Sequence, residues 1–227
     1  MFNEEPKSEL YFSWWINELR EIGFIHDCVH QPEQISLSPT VYCEWETTKI
    51  KKKQFQIVRV NKRLISEHKY TPDYKIMFTV DAINVLISNV EYIDPDGSIL
   101  LSCDPKNKLI TFDRVALVEC KPIFDQNNMT REFKINQKWI YDQGKFINLV
   151  KIPDFFERTF TPRLYIEDQI YKKRTQDKKN KVWHEIGESK LRYTPRTLDT
   201  YLINPVKFKE VGGMLNLWGD NSKNVTI

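Results

Sequence analysis

The feature that most constrains the fold is one strongly apolar run, Val115-Ala-Leu-Val-Glu-Cys120, which ends among charged residues. A short run of this kind predicts a strand that is buried on both faces near the centre of a sheet. Residues two apart in a strand point to the same face, so Glu119 and Lys121 should project together. Because a buried glutamate and lysine are costly without a partner or a task, the end of this strand is the first candidate for a functional site.

Helix and strand patterns surround this run in an order typical of an α/β protein. A helix is predicted over 8–23, since Ser8 suits its N-cap and Gly23 suits its C-terminal stop. Further strands are predicted over 55–60, 74–80 and 145–150, and a second helix is predicted over 131–143. The expected fold class is an α/β core in which a central mixed sheet is flanked by helices.

Other segments are less regular, and they suggest how the chain is divided. Pro32 and Pro39 interrupt any regular pattern in 28–48, and the turn-like Asp94-Pro-Asp-Gly97 indicates that 83–110 is an insertion. Beyond residue 153 the pattern weakens and becomes basic. We therefore expect a core over 1–152 and a basic C-terminal accessory segment over 153–227.

Composition excludes several classes of protein. The 41% hydrophobic content of the 227 residues supports one sizeable core, and the net charge of +3 permits a nucleic-acid partner without requiring one. The four cysteines form no CxxC pair, so reduced thiols are favoured over a disulfide framework or a zinc site at Cys28, His30 and Cys43. We expect no membrane partner and a cytoplasmic location, because neither a signal peptide nor a spanning apolar run is evident.

A second motif, Pro72-Asp73, comes directly before a predicted strand. If that strand neighbours 115–120, Asp73 and Glu119 converge beside the Lys121 ammonium. Carboxylate oxygens are the ligands that Mg²⁺ prefers, and the metal can activate water for attack on a phosphodiester. Lys121 could position that water or stabilise the charge that grows on the phosphate. Asp81 remains a competitor for the role of Asp73, because Asp73 lies far from Glu119 along the chain.

The segments His68-Lys-Tyr-Thr-Pro-Asp-Tyr74 and Val118-Glu-Cys-Lys-Pro122 resemble the motifs of the PD-(D/E)XK nuclease superfamily, also called restriction-endonuclease-like. They are similar in particular to transposon endonuclease subunits and to phage junction-resolving endonucleases, and the resemblance covers roughly 8–150. It implies a restriction-endonuclease-like core and a Mg²⁺-dependent DNA endonuclease, with Mn²⁺ as the alternative ion. The implied context is phage or mobile-element DNA recombination or processing, with branched DNA among the candidate substrates.

The resemblance also implies partners and site residues. DNA is the expected partner, a homodimer or a larger nucleoprotein complex the expected assembly, and a phage virion the alternative location to the host cytoplasm. Asp73 and Glu119 would bind the metal, and Lys121 would assist the attacking water. Many members add a polar residue from the following helix, for which Gln137 is preferred over Lys138.

Many members also add a glutamate from the first helix to the metal site. Glu9, near the start of the predicted helix, matches that position best, ahead of Glu18 and Glu21. His68 lies close to Asp73 in sequence, and local packing is its simpler role.

Two basic stretches are candidates for contacts with the DNA backbone, although each can also be a solvated loop. Their residues are Lys49, Lys51, Lys52 and Lys53 in the first, and Lys172, Lys173, Arg174, Lys178, Lys179 and Lys181 in the second. Two other functions remain open for the chain. One is a non-catalytic DNA-binding or virion-associated protein with a nuclease fold, and the other is a subunit active only within a larger transposase-type or restriction-type complex.

Overall fold

The chain has a mixed α/β fold in a computed structural model that describes residues 7–51, 54–122, 129–176 and 183–203. The helices are α1 (Lys7–Glu21), α2 (Met129–Tyr141), α3 (Asp154–Arg158), α4 (Arg163–Asp168) and α5 (Leu198–Ile203). The strands are β1 (Ile25–His30), β2 (Ile35–Ser38), β3 (Val41–Lys51), β4 (Gln54–Ile65), β5 (His68–Tyr70), β6 (Tyr74–Phe78), β7 (Ile87–Ile93), β8 (Ile99–Leu101), β9 (Leu109–Thr111), β10 (Val115–Pro122), β11 (Ile147–Ile152), β12 (Ile170–Gln176) and β13 (Trp183–Ser189).

The central sheet has four strands in the order β1-β6-β10-β11. Strand β6 is antiparallel to both β1 and β10, whereas β11 runs parallel to β10. The apolar run at 115–120 is therefore an inner strand paired on both sides, which confirms the prediction of a central strand.

Each face of this sheet is covered by one long helix. Ala116, Val118 and Cys120 belong to the same hydrophobic cluster as the inward side chains of α1, such as Trp15. Leu117, on the alternate face of β10, packs with the cluster that contains Phe133 of α2. Strand alternation thus separates two cores. Glu119 and Lys121 lie on the same face of β10 as Leu117, which is the face that α2 covers.

Helix α1 ends where the sequence indicates. Gly23 has φ of +79°, a left-handed conformation that glycine adopts without a Cβ penalty. The N–H of Phe24 then donates to the carbonyl oxygen of Leu19 over 2.9 Å, which closes the last turn and leads the chain into β1.

The segment 83–110 forms a small sheet in the order β8-β7-β9. Its predicted turn joins β7 and β8, where Gly97 donates its N–H to the carbonyl oxygen of Asp94 over 2.9 Å with φ of +87°. Leu86 and Leu109 belong to the main hydrophobic cluster, so the base of this segment is anchored in the core.

The segment 28–48 is more regular than the sequence suggests. Pro32 and Pro39 lie in the connections between β1, β2 and β3, so they separate strands rather than prevent them. Strands β3 and β4 pair in antiparallel fashion from Val41–Ile65 to Lys51–Gln54, and together they form what we call the β3–β4 ribbon.

The described part of the C-terminal segment packs onto the same core as α1. Phe155 and Phe156 of α3 are buried, and Phe160 stacks on Trp15 with ring centroids 5.4 Å apart. Tyr201 of α5 joins the same cluster. Among the described residues, no helix combines the length and apolar character needed to cross a membrane.

Substitution Phe160→Ala should destabilise the whole chain, because this ring is fully buried between Trp15 and Tyr201. The expected cost is about 3–5 kcal/mol, measured by denaturant unfolding followed by circular dichroism. Leu164→Ala on α4, where the side chain is 53% exposed, is the matched control and should cost far less. If unfolding showed two separate transitions and the substitution shifted only one of them, the C-terminal segment would fold independently of α1.

Candidate functional site

Asp73 lies at the junction between the two sequence motifs. It directly precedes β6, and its backbone carbonyl accepts the Gln31 N–H over 2.8 Å. Tyr74 pairs with Val118, so β10 continues past the start of β6 and Cys120 reaches Asp73. The Cys120 N–H donates to Asp73 Oδ2 over 2.6 Å. This hydrogen bond attaches the aspartate to the residue between Glu119 and Lys121.

Glu119 and Lys121 point to the same side of β10 and are paired directly. Lys121 Nζ lies 2.5 Å from Glu119 Oε1, and the Tyr70 hydroxyl donates to the other carboxylate oxygen, Oε2. Glu119 is buried and Lys121 is half-buried. Both oxygens of the buried glutamate are therefore satisfied, which offsets much of the cost of removing its charge from water.

Glu9 is the buried acidic residue of the first helix. His30 Nε2 donates to Glu9 Oε2 over 2.9 Å, so β1 holds the glutamate in place. The Glu9 charge also acts on Asp73, whose pKa it helps to raise. In contrast, Glu18 accepts the Arg163 N–H over 2.6 Å, and Glu21 is exposed. Of these three glutamates, Glu9 is the one that the fold brings toward Asp73.

The site contains more negative than positive charge. Burial and the neighbouring Glu119 charge raise the pKa of Asp73 to about 7, and the Cys120 N–H and Lys121 only partly oppose this rise. Burial lowers the pKa of Lys121, but its hydrogen bond to Glu119 and the nearby carboxylates outweigh that effect and raise it. A cation bound nearby would stabilise the ionised form of this half-buried aspartate.

The donor chemistry of the site fits a hard divalent cation. Asp73 and Glu119 supply carboxylate oxygens, and none of the hydrogen bonds of the described residues reaches Asp73 Oδ1. In the present arrangement, no group of three His, Cys, Asp or Glu side chains among the described residues is close enough to hold a metal ion. Asp73 and Glu119 are the two carboxylates of this site that would hold such an ion.

Helix α2 contributes polar residues to a pocket beside this pair. The pocket has a volume of about 160 Å³ and is lined by His68, Lys69, Tyr70, Glu119, Lys121, Glu132, Phe133 and Asn136. His68 Nε2 donates to Asn136 Oδ1 over 3.0 Å. Gln137, the residue preferred from the sequence, instead donates to the backbone carbonyl of Ile147 over 2.8 Å and does not line the pocket.

Sequence reasoning did not assign Tyr70, His30 or Asn136 to this site. Helical spacing from the apolar Phe133 could have suggested Asn136, because residues three apart share a helix face. It could not separate Asn136 from Gln137, which lies four positions from Phe133 on the same face. Tyr70 and His30 become visible only when β5 and β1 are folded against the site.

The remaining sequence candidates lie elsewhere or outside the description. Asp81 is exposed in a short 3-10 helix after β6, away from the Asp73–Cys120 hydrogen bond. Lys51 ends β3 and Lys172, Lys173 and Arg174 lie on β12, but their side chains are outside the described residues. Lys49 is exposed on β3, whereas Lys52, Lys53, Lys178, Lys179 and Lys181 are outside the described residues altogether.

Comparison with known proteins gives no relative: no family model, curated protein or solved structure significantly matches this chain. What the site can do chemically therefore follows from its own residues.

Substitution Asp73→Asn should stabilise the chain at pH 8 in the presence of a chelator. The folded pKa of Asp73 is raised from 3.8 to about 7, so stability is lost as pH rises through this window, and asparagine avoids the loss. We expect a melting temperature about 2–4 °C higher at pH 8, corresponding to roughly 1 kcal/mol, and a smaller difference toward pH 4. Asp81→Asn is the exposed control, and an equal effect of both substitutions would contradict the pKa assignment.

Substitution Tyr70→Phe should destabilise the chain near neutral pH. Burial and the Glu119 charge raise the pKa of Tyr70, so its hydroxyl stays protonated and donates to Glu119. Removing this donor leaves a buried carboxylate oxygen unsatisfied, which costs about 1–3 kcal/mol in the free energy of unfolding. Tyr42→Phe on β3, where the ring is 60% exposed, provides the control in the same denaturation experiment. Equal stabilities of the two variants would argue against this contact.

Proposed function

We propose that the chain is a metal-dependent endonuclease that hydrolyses DNA phosphodiester bonds. The observation that carries the proposal is the hydrogen bond between Asp73 and the Cys120 N–H. Through it, two acidic residues and the Lys121 ammonium meet at one end of the central sheet. This is the donor set that phosphodiester hydrolysis with a divalent cation needs.

The arrangement of the sheet supports the resemblance to PD-(D/E)XK nucleases. That resemblance implies a restriction-endonuclease-like core with a central mixed sheet between helices. Here α1 and α2 cover opposite faces of a sheet in which β11 is parallel and the other pairings are antiparallel. The two motifs fall on its adjacent strands β6 and β10.

Each residue of the site has a role in this proposal. Asp73 and Glu119 would hold Mg²⁺ or Mn²⁺, with Glu9 supplementing the site. When bound, the ion supplies positive charge that offsets the charge growing on the scissile phosphate and favours a deprotonated water. Lys121 orients the attacking water and stabilises negative charge on the phosphoryl oxygens. Tyr70 fixes the carboxylate of Glu119 while Lys121 is engaged elsewhere.

A second candidate function is a subunit that cuts only within a larger complex. It is favoured by the contacts of Glu119, since Lys121 and Tyr70 contact both of its carboxylate oxygens. Binding of DNA or of a partner protein would then rearrange the site. Phage or mobile-element DNA recombination is the context that the family resemblance suggests for either function.

A cleavage assay tests the proposal directly. Wild-type protein should cut supercoiled, linear or four-way-junction DNA in Mg²⁺ or Mn²⁺, and a chelator should stop the reaction. Asp73→Ala and Lys121→Ala should each reduce the rate about 100-fold or more. The first would remove a carboxylate that holds the metal, and the second would remove positive charge at the reacting phosphate.

Two exposed residues provide matched controls for these substitutions. Asp81→Ala removes a carboxylate and Lys75→Ala removes an ammonium, both close in sequence to Asp73 but exposed. Neither should change the cleavage rate. If folded wild-type protein cuts none of the substrates, the proposal that the chain cleaves DNA by itself is wrong. DNA binding without cutting would then favour the DNA-binding or partner-dependent alternatives.

A further inference from the structure

The β3–β4 ribbon is a long two-stranded element whose hydrogen bonds are largely its own. Its longer strand has 12 residues and spans about 40 Å at the usual rise per residue. The contacts of its charged side chains also join its two strands, as between Asn61 and Glu44 over 2.7 Å and between Arg59 and Glu46 over 3.6 Å. A hairpin of this kind is only marginally stable alone, so a surface that covers it would also stabilise it.

Positive charge is concentrated in the segment 41–65, which contains this ribbon. The segment has seven Lys or Arg and two Glu, a net charge of +5, whereas the whole chain carries only +3. The rest of the chain is therefore net negative. Lys49, Arg59, Lys62 and Arg63 are all exposed along the ribbon. Their separation along two strands suits a partner with regularly spaced negative charges.

The outer part of the ribbon also exposes apolar side chains. Ile50 is 69% exposed, Phe55 is 77% exposed and Ile57 is 74% exposed. Ile50 pairs with Phe55, and Ile57 pairs with Thr48 two residues away, so the three apolar side chains share one face. A cluster of exposed apolar residues within a basic element marks an interaction surface rather than a solvated face.

We propose that the β3–β4 ribbon is an arm that enters the major groove of duplex DNA. A two-stranded ribbon fits this groove, which is about 12 Å wide. The basic side chains contact phosphates on either side, and the Ile50, Phe55 and Ile57 face contacts base edges and thymine methyl groups. This inference rests on the proposed function, in which DNA is the substrate, and it makes the β3–β4 ribbon the element that binds the DNA.

DNA fits this surface better than a second copy of the chain does. Pairing two copies of the ribbon would bring two segments of net charge +5 together, and like charges facing each other across an interface oppose association. Phosphates neutralise the same residues and release counterions, which favours binding.

The test measures DNA binding in a chelator, so that its outcome does not depend on cleavage. A variant combining Lys49→Ala, Arg59→Ala, Lys62→Ala and Arg63→Ala is titrated against a labelled duplex by fluorescence anisotropy at roughly 50 to 200 mM salt. The Kd should rise about tenfold or more, and the slope of log K against log salt should become shallower by about 3 to 4. A second variant, Phe55→Ser with Ile57→Ser, should weaken binding without changing that slope.

The matched control removes the same charge elsewhere, by replacing the exposed Lys7, Arg20, Lys106 and Lys134 with alanine. An equal loss of binding in this control would overturn the proposal, because net charge alone would then explain the effect. Unchanged DNA binding by the ribbon variants, with a loss of dimer in light scattering, would also overturn it and make a second copy the occupant.

A measurement on the wild-type chain keeps the proposal testable if the variants fold poorly. Lysine acetylation followed by mass spectrometry should show DNA protecting Lys49 and Lys62 but not Lys7 or Lys106. Equal labelling of Lys49 and Lys62 with and without bound DNA would overturn the proposal that the ribbon binds DNA. If the wild-type protein cuts DNA without this protection, the DNA-binding role of the ribbon is refuted and the proposed nuclease activity stands. If DNA protects the ribbon lysines but the protein never cuts, the nuclease activity is refuted and the DNA-binding role stands.

Discussion

The hydrogen bond from the Cys120 N–H to Asp73 joins the two strands on which the site depends. Strand β10 extends beyond the start of β6, and this bond satisfies a backbone donor that would otherwise lack a partner on that side. The same bond holds the Asp73 carboxylate at the backbone of the residue that separates Glu119 from Lys121 in the sequence. One interaction therefore closes the end of the sheet and concentrates negative charge there, so the geometry of the site follows from the pairing of the central strands.

This concentration of charge has a cost to stability that the surrounding contacts only partly offset. Lys121, Tyr70 and His30 each stabilise a glutamate, but burial and Glu119 still raise the pKa of Asp73 to about 7. A fold selected for stability alone would be better served by apolar residues at such positions. The persistent charge is understandable if the site is built to receive a cation and a phosphate, as proposed above.

Charge is also divided between distant parts of the chain. The candidate site on the central sheet is acidic, whereas the segment 41–65, which contains the β3–β4 ribbon, carries a net charge of +5. Such a division suits an enzyme acting on a polyanion, because affinity from the ribbon does not have to be built beside carboxylates that repel the substrate. The two proposals are thus physically compatible, although each is tested by a separate measurement.

The sequence by itself determined the elements whose signals are local. The apolar run of β10, the helix ending at Gly23 and the turn at Asp94–Gly97 follow from periodicity and backbone preferences, and strand alternation alone puts Glu119 and Lys121 on one face. Tertiary structure decided that Asp73 reaches Cys120, that Glu9 approaches it, and that Asn136 lines the pocket. Tertiary structure also decided that the chain after Pro39 forms the β3–β4 ribbon. These outcomes depend on which distant strands become neighbours, and a local pattern does not contain that information.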